Sequence, residues 1–321
     1  MVLTITHNGY IKRTSLSTYR SQRRGGRGVQ GASSREEDFV EHLFVANTHS
    51  YILFFTDKGK CYWVKVYDIP EGGRAAKGRA IVNLIGCEPD EKVSAFISVK
   101  EFNDDHYVVM ATEKGMVKKT KLSAYSNPRK KGIYAVEIRD GDKLIEARVS
   151  TGDNDILLGT RNGKSIRFSE EQIRASGRKT MGVKGITLSS EDDRLVGMLL
   201  IKREGTVLVA TEKGFGKRTE ISQYRAQKRG GKGVLTMKTT DKVGKMVTIK
   251  EVVDKDDLMI ITNQGVLIRL PVAQIRSIGR ATQGVKLIKL GEGTLVSSIT
   301  RIMSEEEEDE NNNTESTEPK E

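Results

Sequence analysis

At 321 residues the chain has room for one large or two ordinary domains with a buried core. No apolar run reaches the eighteen residues a spanning helix needs, and the opening "MVLTITHNGYIKR" has neither the basic start nor the apolar stretch of a signal peptide, so the composition predicts a cytoplasmic protein without a membrane partner. Two cysteines, Cys61 and Cys87, have no CxxC spacing, which excludes a disulfide framework and a zinc site and predicts buried thiols. The net charge of +11 hides an asymmetry: residues 304–321, "SEEEEDENNNTESTEPKE", carry −8, so residues 1–303 carry +19. A basic body with a short acidic tail predicts a polyanionic partner and a disordered appendage from 304 to 321.

In chain order the predicted elements repeat. One pattern returns six times, as "THNGYIKRTSLSTYR" from Thr6, "TDKGKCYWVKVYDIP" from Thr56, "TEKGMVKKTKLSAYS" from Thr112, "TRNGKSIRFSEEQIR" from Thr160, "TEKGFGKRTEISQYR" from Thr211 and "TNQGVLIRLPVAQIR" from Thr262. The period is roughly 50 residues, that of a large propeller blade. An apolar run precedes each threonine (Tyr51 to Phe55, Val108 to Ala111, Leu258 to Ile261) and predicts a strand covered on both faces. A hairpin glycine follows (Gly9, Gly59, Gly115, Gly163, Gly214, Gly265), where a two-residue turn needs positive φ, and the chain returns as a second strand.

Seven residues past that glycine stand Leu16, Val66, Leu122, Glu170, Ile221 and Val272, and ten past it Tyr19, Ile69, Tyr125, Ile173, Tyr224 and Ile275. All but Glu170 read as core pegs. A second glycine (Gly28, Gly78, Gly132, Gly182, Gly233, Gly284) precedes a further strand in most copies, including "VNLIG", "YAVEI" and "VKGITL". Four strands per unit follow. Val2 to Thr6 and the last apolar segment "TLVSSITRI" are expected to complete one blade between them and so close a ring. The expected fold is therefore an all-β, six-bladed propeller-like ring over residues 1–303.

The repeats explain two misleading motifs. "GTRNGKS", Gly159 to Ser165, is one residue short of a phosphate-binding P-loop and falls on the fourth hairpin. The GxGxxG at Gly26 to Gly31 lacks the βαβ unit and the later acidic residue of a dinucleotide site. His7, His42, His49 and His106 have no ligand spacing, and no catalytic constellation stands out.

Cations recur at fixed places. Three and four residues past the hairpin glycine stand Lys12 and Arg13, Lys118 and Lys119, and Lys217 and Arg218, with Arg167 and Arg269 at the fourth place in two more copies. The second copy has Tyr62 and Trp63 there, with Lys65 beyond. The loops around the second glycine add Arg23, Arg24 and Arg27; Arg74, Lys77 and Arg79; Arg129, Lys130 and Lys131; Arg178, Lys179 and Lys184; Lys228, Arg229 and Lys232; and Arg280. On a closed ring these form a belt of cations around the rim. Such a track suits double-stranded DNA, which carries a charge every ~1.7 Å and can be held by its backbone without base reading. Few aromatics stand among the loop cations, which argues against a single-strand stacking platform.

These residues carry a family resemblance. "QRRGGRG", comprising Gln22, Arg23, Arg24, Gly25, Gly26, Arg27 and Gly28, resembles the seven-residue box of the C-terminal β-pinwheel domains of DNA gyrase A subunits, and so do the six repeats. "FVANTHSYILFFTDKGKCYWVKVYDIP" and "GRAIVNLIG" are similar to the same stretches of that family. The resemblance implies a six-bladed pinwheel whose blades exchange strands and whose rim wraps DNA with positive handedness. It also implies partnership with the rest of the gyrase A subunit and with the gyrase B subunit in a heterotetramer, where ATP and Mg serve the other parts and this chain needs no cofactor.

By the same resemblance the chain is non-catalytic, monomeric in isolation, and active in the cytoplasm at the nucleoid. In the box, the glycines would admit the DNA backbone while Gln22, Arg23, Arg24 and Arg27 donate to phosphate. Arg27 departs from the family's more frequent lysine but keeps the charge. "QKRGGKG", comprising Gln227, Lys228, Arg229, Gly230, Gly231, Lys232 and Gly233, repeats the motif, as a second functional box or as a relic of repeat ancestry that keeps a DNA contact. The alternatives are the C-terminal domain of the topoisomerase IV A subunit, which usually lacks a full box, and a protein-binding propeller, which would not need a cationic rim.

Overall fold

The computed structural model describes residues 1–15, 40–73, 76–127, 129–202, 205–264 and 266–302. Their architecture follows from the apolar runs. In Tyr51–Thr56, Ile52 and Phe54 face one neighbouring sheet, packing with Leu3 and Ile11, while Leu53 and Phe55 face the other, packing with Val108, Met110 and Tyr125. The two-residue period of a strand thus serves two interfaces at once, which is why these segments are apolar throughout instead of alternating. Tyr107–Thr112 repeats the scheme, with Val108 and Met110 on one side and Val109 and Ala111 on the other. The larger of these side chains, Val, Leu, Ile, Phe and Met, each contribute roughly 1.5 to 3 kcal/mol on burial.

Six antiparallel sheets result, five of four strands and one of three among the described residues. In the third, the innermost strand Leu144–Ser150 pairs with the central Tyr107–Thr112, which pairs through the hairpin with the return strand Met116–Lys121. The outermost strand, Val183–Lys184, comes from the next unit, in register Val183 with Val117 and Lys184 with Met116. Arg79–Ala80, Ile133–Tyr134, Val234–Leu235 and Val285–Lys286 make the same exchange onto the first, second, fourth and fifth sheets. The matching residues for the sixth sheet lie outside the described ones. Innermost strands pack side by side around the axis, and Val296–Ile302 of the sixth sheet meets Val40–Val45 of the first.

The expected hairpins are present, with Gly9, Gly59, Gly115, Gly163 and Gly214 at φ between 74 and 83°; "GTRNGKS" is the fourth of them. Gly265 lies outside the described residues.

Three expectations are corrected. Val2–Thr6 and Val296–Ile302 do not share a blade: the first pairs with Tyr10–Thr14 and Val40–Val45, the second with Asp257–Thr262. Each unit supplies its own innermost strand, and the second to sixth units exchange only the two-residue outer one, so Val2–Thr6 and Val296–Ile302 lie in adjacent sheets. "VNLIG" is not a strand either; Ile81–Ile85 is a short α-helix stopped by Gly86 in the left-handed region at φ 61°, a conformation that ends helices. Of the two thiols, Cys61 is buried and Cys87 only half-buried.

The pegs sit on 3-10 turns that follow the return strands, with Val66, Leu122, Val272, Ile69, Tyr125, Ile173, Tyr224 and Ile275 buried and Ile221 half-buried. Glu170, the polar exception, is fully buried as well. It accepts from Ser150 Oγ at 2.5 Å and from the Asn154 amide at 3.3 Å, with Lys119 Nζ 3.6 Å away, so its charge is compensated.

Candidate nucleic-acid interface

In the first five units the return strand turns the long side chain at the fourth place past the hairpin glycine toward the seam with the next blade. There the side chain in each of these five units donates to a carbonyl of the next unit's turn. Arg13 Nε reaches Ile69 O at 2.7 Å, Lys119 Nζ reaches Glu170 O at 3.2 Å, and Arg218 Nε reaches Ile275 O at 2.7 Å. Arg167 Nη1 bonds both Ile221 O at 3.3 Å and Tyr224 O at 3.1 Å. The second unit, the apparent outlier, obeys the same rule with an indole: Trp63 Nε1 donates to Tyr125 O at 2.8 Å. What the position requires is an N–H donor of long reach, and charge is secondary.

Acids neutralise most of these cations. Glu71 lies 3.3 Å from Arg13, Asp155 2.6 Å from Arg167, Asp254 beside Arg218, and Asp257 2.5 Å from Arg269. Tyr19, whose carbonyl would match Arg269, lies outside the described residues.

The third place is a correction to the expected belt. Lys12, Lys118 and Lys217 are 3, 1 and 0 % exposed and point into the neighbouring loop. Lys12 Nζ donates to Gly73 O at 3.1 Å and Ala76 O at 3.0 Å. Lys118 Nζ donates to Ala135 O at 2.6 Å and to Arg178 O, and Lys217 Nζ to Gly279 O at 2.7 Å, Thr282 Oγ1 at 3.0 Å and Arg280 O. Burial pushes the Lys118 amine down to about 7 and the Lys217 amine to about 8, with Arg178 and Arg280 adding to the shifts, and burial lowers Lys12 too. These lysines occupy the first, third and fifth units. Their counterparts Tyr62, Ile166 and Ile268 are not cationic.

Arg269 on the sixth return strand is exposed, and further predicted rim cations reach the surface on or beside the exchanged outer strands. Lys77, Arg79, Arg129, Lys130, Lys131, Lys179, Lys184, Lys228 and Lys232 are exposed. Arg178 and Arg280 are half-buried and donate to Tyr134 O at 3.2 Å and Leu235 O at 2.9 Å, tying their loops to the preceding outer strand. Lys65 is half-buried between two aromatic rings, 5.5 Å from the centre of Tyr51 and 5.2 Å from that of Tyr67. Lys77 lies 4.0 Å over Tyr10. Arg74 lies outside the described residues, as do the box Gln22 to Gly28 and the acidic tail.

The second box-like loop is described, and it divides in two. Arg229 folds back, its amide and Nε meeting Gln172 Oε1 and O at 2.9 Å and its Nη1 meeting Lys184 O at 3.1 Å. The Gly230 amide donates to Gly185 O at 2.6 Å, and a Cβ on Gly233, whose φ is 68°, would stand 2.3 Å from Ser165 O. In this loop the glycines admit the neighbouring blade. Lys228 and Lys232 remain exposed. The sequence signal that could have separated the seam cations from the surface ones was their place in the return strand, whose paired residues lie between two sheets.

The chain is thus a propeller-like ring with exchanged outer strands and exposed cations on its loops. Six segments, residues 1–47, 50–100, 106–151, 154–202, 205–252 and 256–302, match the family described as the DNA gyrase C-terminal domain, beta-propeller, and the chain belongs to that family. The DNA gyrase A subunit of Staphylococcus epidermidis is 47% identical over 309 residues, and that of Staphylococcus aureus 47% over 305. These alignments take in 95% and 94% of this chain but 34% of each relative, so the chain spans about a third of their length. Among solved structures, the C-terminal domain of DNA topoisomerase IV superposes with a TM-score of 0.85 at 25% identity, covering 98% of both chains. The DNA gyrase A C-terminal domain superposes at 0.73 with 24% identity, covering 94% of this chain and 99% of that one, a likeness of fold.

Proposed function

We propose that this chain wraps duplex DNA around its rim with positive handedness, so that a gyrase holoenzyme containing it can introduce negative supercoils with ATP. The observation that carries this reading is the row of exposed loop cations, Lys77 and Arg79 through Lys228 and Lys232, at the outer edges of successive sheets. Bending 20 to 30 base pairs through 40 to 90° costs about 1 to 6 kcal/mol by elastic estimates, which contacts to many phosphates offset. In this reading the chain catalyses nothing itself, uses no cofactor, and works in the cytoplasm beside the rest of the gyrase A subunit and the gyrase B subunit.

The box Gln22 to Gly28 supplies three arginines among many cations, so it sets the path of the wrap more than the affinity. Its replacement by alanines is expected to abolish supercoiling by the reconstituted holoenzyme and to spare ATP-independent relaxation. The same change at Gln227 to Gly233 should do less to supercoiling, since two of that loop's cations are exposed and Arg229 is held by protein. The acidic tail competes with DNA for the rim, and its deletion from Ser304 is expected to tighten binding at low salt only.

The direct test incubates the chain with relaxed circular DNA and a relaxing topoisomerase, then reads the linking number. Trapped positive writhe is the expected result. An unchanged topoisomer distribution at saturating protein contradicts wrapping.

A further inference from the structure

The second sheet's outer edge differs from its counterparts. The second residue of the exchanged strand is Ala80, Lys184, Leu235 or Lys286 in the other described sheets, but Tyr134 in this one, 53% exposed. Met181, 38% exposed, lies on a segment joined to the Tyr134 strand by Arg178 Nη1 to Tyr134 O at 3.2 Å and by the Glu137 amide to Thr180 O at 3.1 Å. The buried tyrosines of the neighbouring turns, Tyr125 and Tyr224, show that the fold has interior places for such rings.

The surroundings identify what this aromatic meets. Arg129, Lys130 and Lys131 precede Tyr134, Arg178 and Lys179 flank it from the facing segment, and Arg139 Nε lies 3.3 Å from Met181 Sδ. An apolar projection ringed by cations fits a surface with fixed anions on both sides of an apolar slot. Duplex DNA offers that combination, phosphates bordering a groove and stacked bases at its floor. Proteins that bend DNA insert apolar side chains between base steps and kink the duplex by 20 to 90°, and pyrimidine–purine steps yield most easily.

Tyr134 is also prepared for insertion. Its strand is held by the pairing of Ile133 with Cys61 and Tyr134 with Lys60, and a tyrosine ring has few rotatable bonds to freeze.

We propose that Tyr134, supported by Met181, is a wedge that unstacks one base step of the bound duplex and concentrates the bend there. This rests on the wrapping reading above. The test is permanganate oxidation of thymines in a duplex saturated with the 321-residue chain, compared with Tyr134→Phe, Tyr134→Ala and Met181→Ala, each checked for an unchanged melting midpoint. The wild-type chain and Tyr134→Phe should give thymines at pyrimidine–purine steps several-fold more reactive than in free DNA. Tyr134→Ala should return them to the free level and Met181→Ala should weaken the signal, with affinity changed by less than about threefold and an unchanged salt slope, because no charge is removed.

DNA bound and wrapped with no hyperreactive thymine overturns the wedge while leaving the wrap intact. Loss of the signal in Tyr134→Phe as well would assign Tyr134 a hydroxyl-to-phosphate contact instead, and also overturns it. If the wild-type chain binds no duplex, the wrapping reading fails first and the wedge with it.

Discussion

The return strands and the loops are equally rich in lysine and arginine, yet they use them for opposite ends. On the return strands, Lys118 and Lys217 are enclosed by carbonyl oxygens, and Arg13, Arg167 and Arg218 stitch one blade to the next. In the loops, Arg129, Lys130, Lys131, Lys228 and Lys232 stand in solvent. Composition and net charge sum over both sets. The loop set can meet a polyanion without dismantling the ring, and the enclosed and stitching members of the first explain how thin, separate sheets hold together as one body.

The largest effects should come from the enclosed lysines. Lys217→Met leaves the carbonyls of Gly279 and Arg280 and the Thr282 hydroxyl without their donor, and unfolding in urea should show a loss of about 3 kcal/mol or more. Duplex affinity of the folded variant should stay within about twofold of wild type. A large loss of affinity with intact stability would break the comparison.

Next come the glycines that let a loop lie on the adjacent sheet. Gly182→Ala places a Cβ 2.4 Å from Val117 O at a φ of 78°, and calorimetry should show about 2 to 3 kcal/mol of destabilisation. Gly9→Ala, with the same hand of φ and open space, should cost about 1 kcal/mol.

The loops should behave in the converse way. Replacing Arg129, Lys130 and Lys131 together by alanine should leave the melting midpoint almost unmoved, because all three are exposed. The slope of log affinity against log salt should fall in magnitude by up to about 2.7 from a wild-type value of about −5 to −9.

The pH dependence sharpens the contrast further. An unfolded lysine keeps its proton to about 10.4, whereas buried Lys118 loses it at about 7, so between those values the unfolded chain binds more protons. This lysine's contribution to stability therefore rises as pH rises through that window. The gap in melting midpoint between wild type and Lys118→Met should widen from pH 7 to pH 10, and a constant gap would refute the linkage. Trp63→Phe takes away the N–H bonded to Tyr125 O together with part of a ring packed on the core, and should cost about 1 kcal/mol or more in urea unfolding.

Much of this was legible in the residues. Among the described residues, the hairpins, the central strands and the pegs from Val66 onward follow from apolar periodicity and from glycines in fixed register, since those patterns report burial and backbone conformation directly; Leu16 and Tyr19 lie outside the described residues. The strand exchange was legible only as a family resemblance, because two-residue strands such as Val183–Lys184 are too short to carry a periodicity. The helical turn Ile81–Ile85 was misread because "VNLIG" is apolar in either conformation.

The site was half legible. Sequence shows that Lys12, Lys118 and Lys217 are cations at one repeated place, but a lysine enclosed by main-chain carbonyls and a lysine in solvent are the same letter. Trp63 illustrates the reverse, an apparent departure from the charge pattern that keeps the hydrogen bond.

The division of labour is tested most directly by the salt slope of duplex binding measured for Lys118→Met under conditions where the variant is fully folded. The account predicts the wild-type slope unchanged, since this side chain donates to Ala135 O and Arg178 O inside the seam and meets no phosphate. A slope reduced by about 0.9, the signature of one lost phosphate contact, would contradict it.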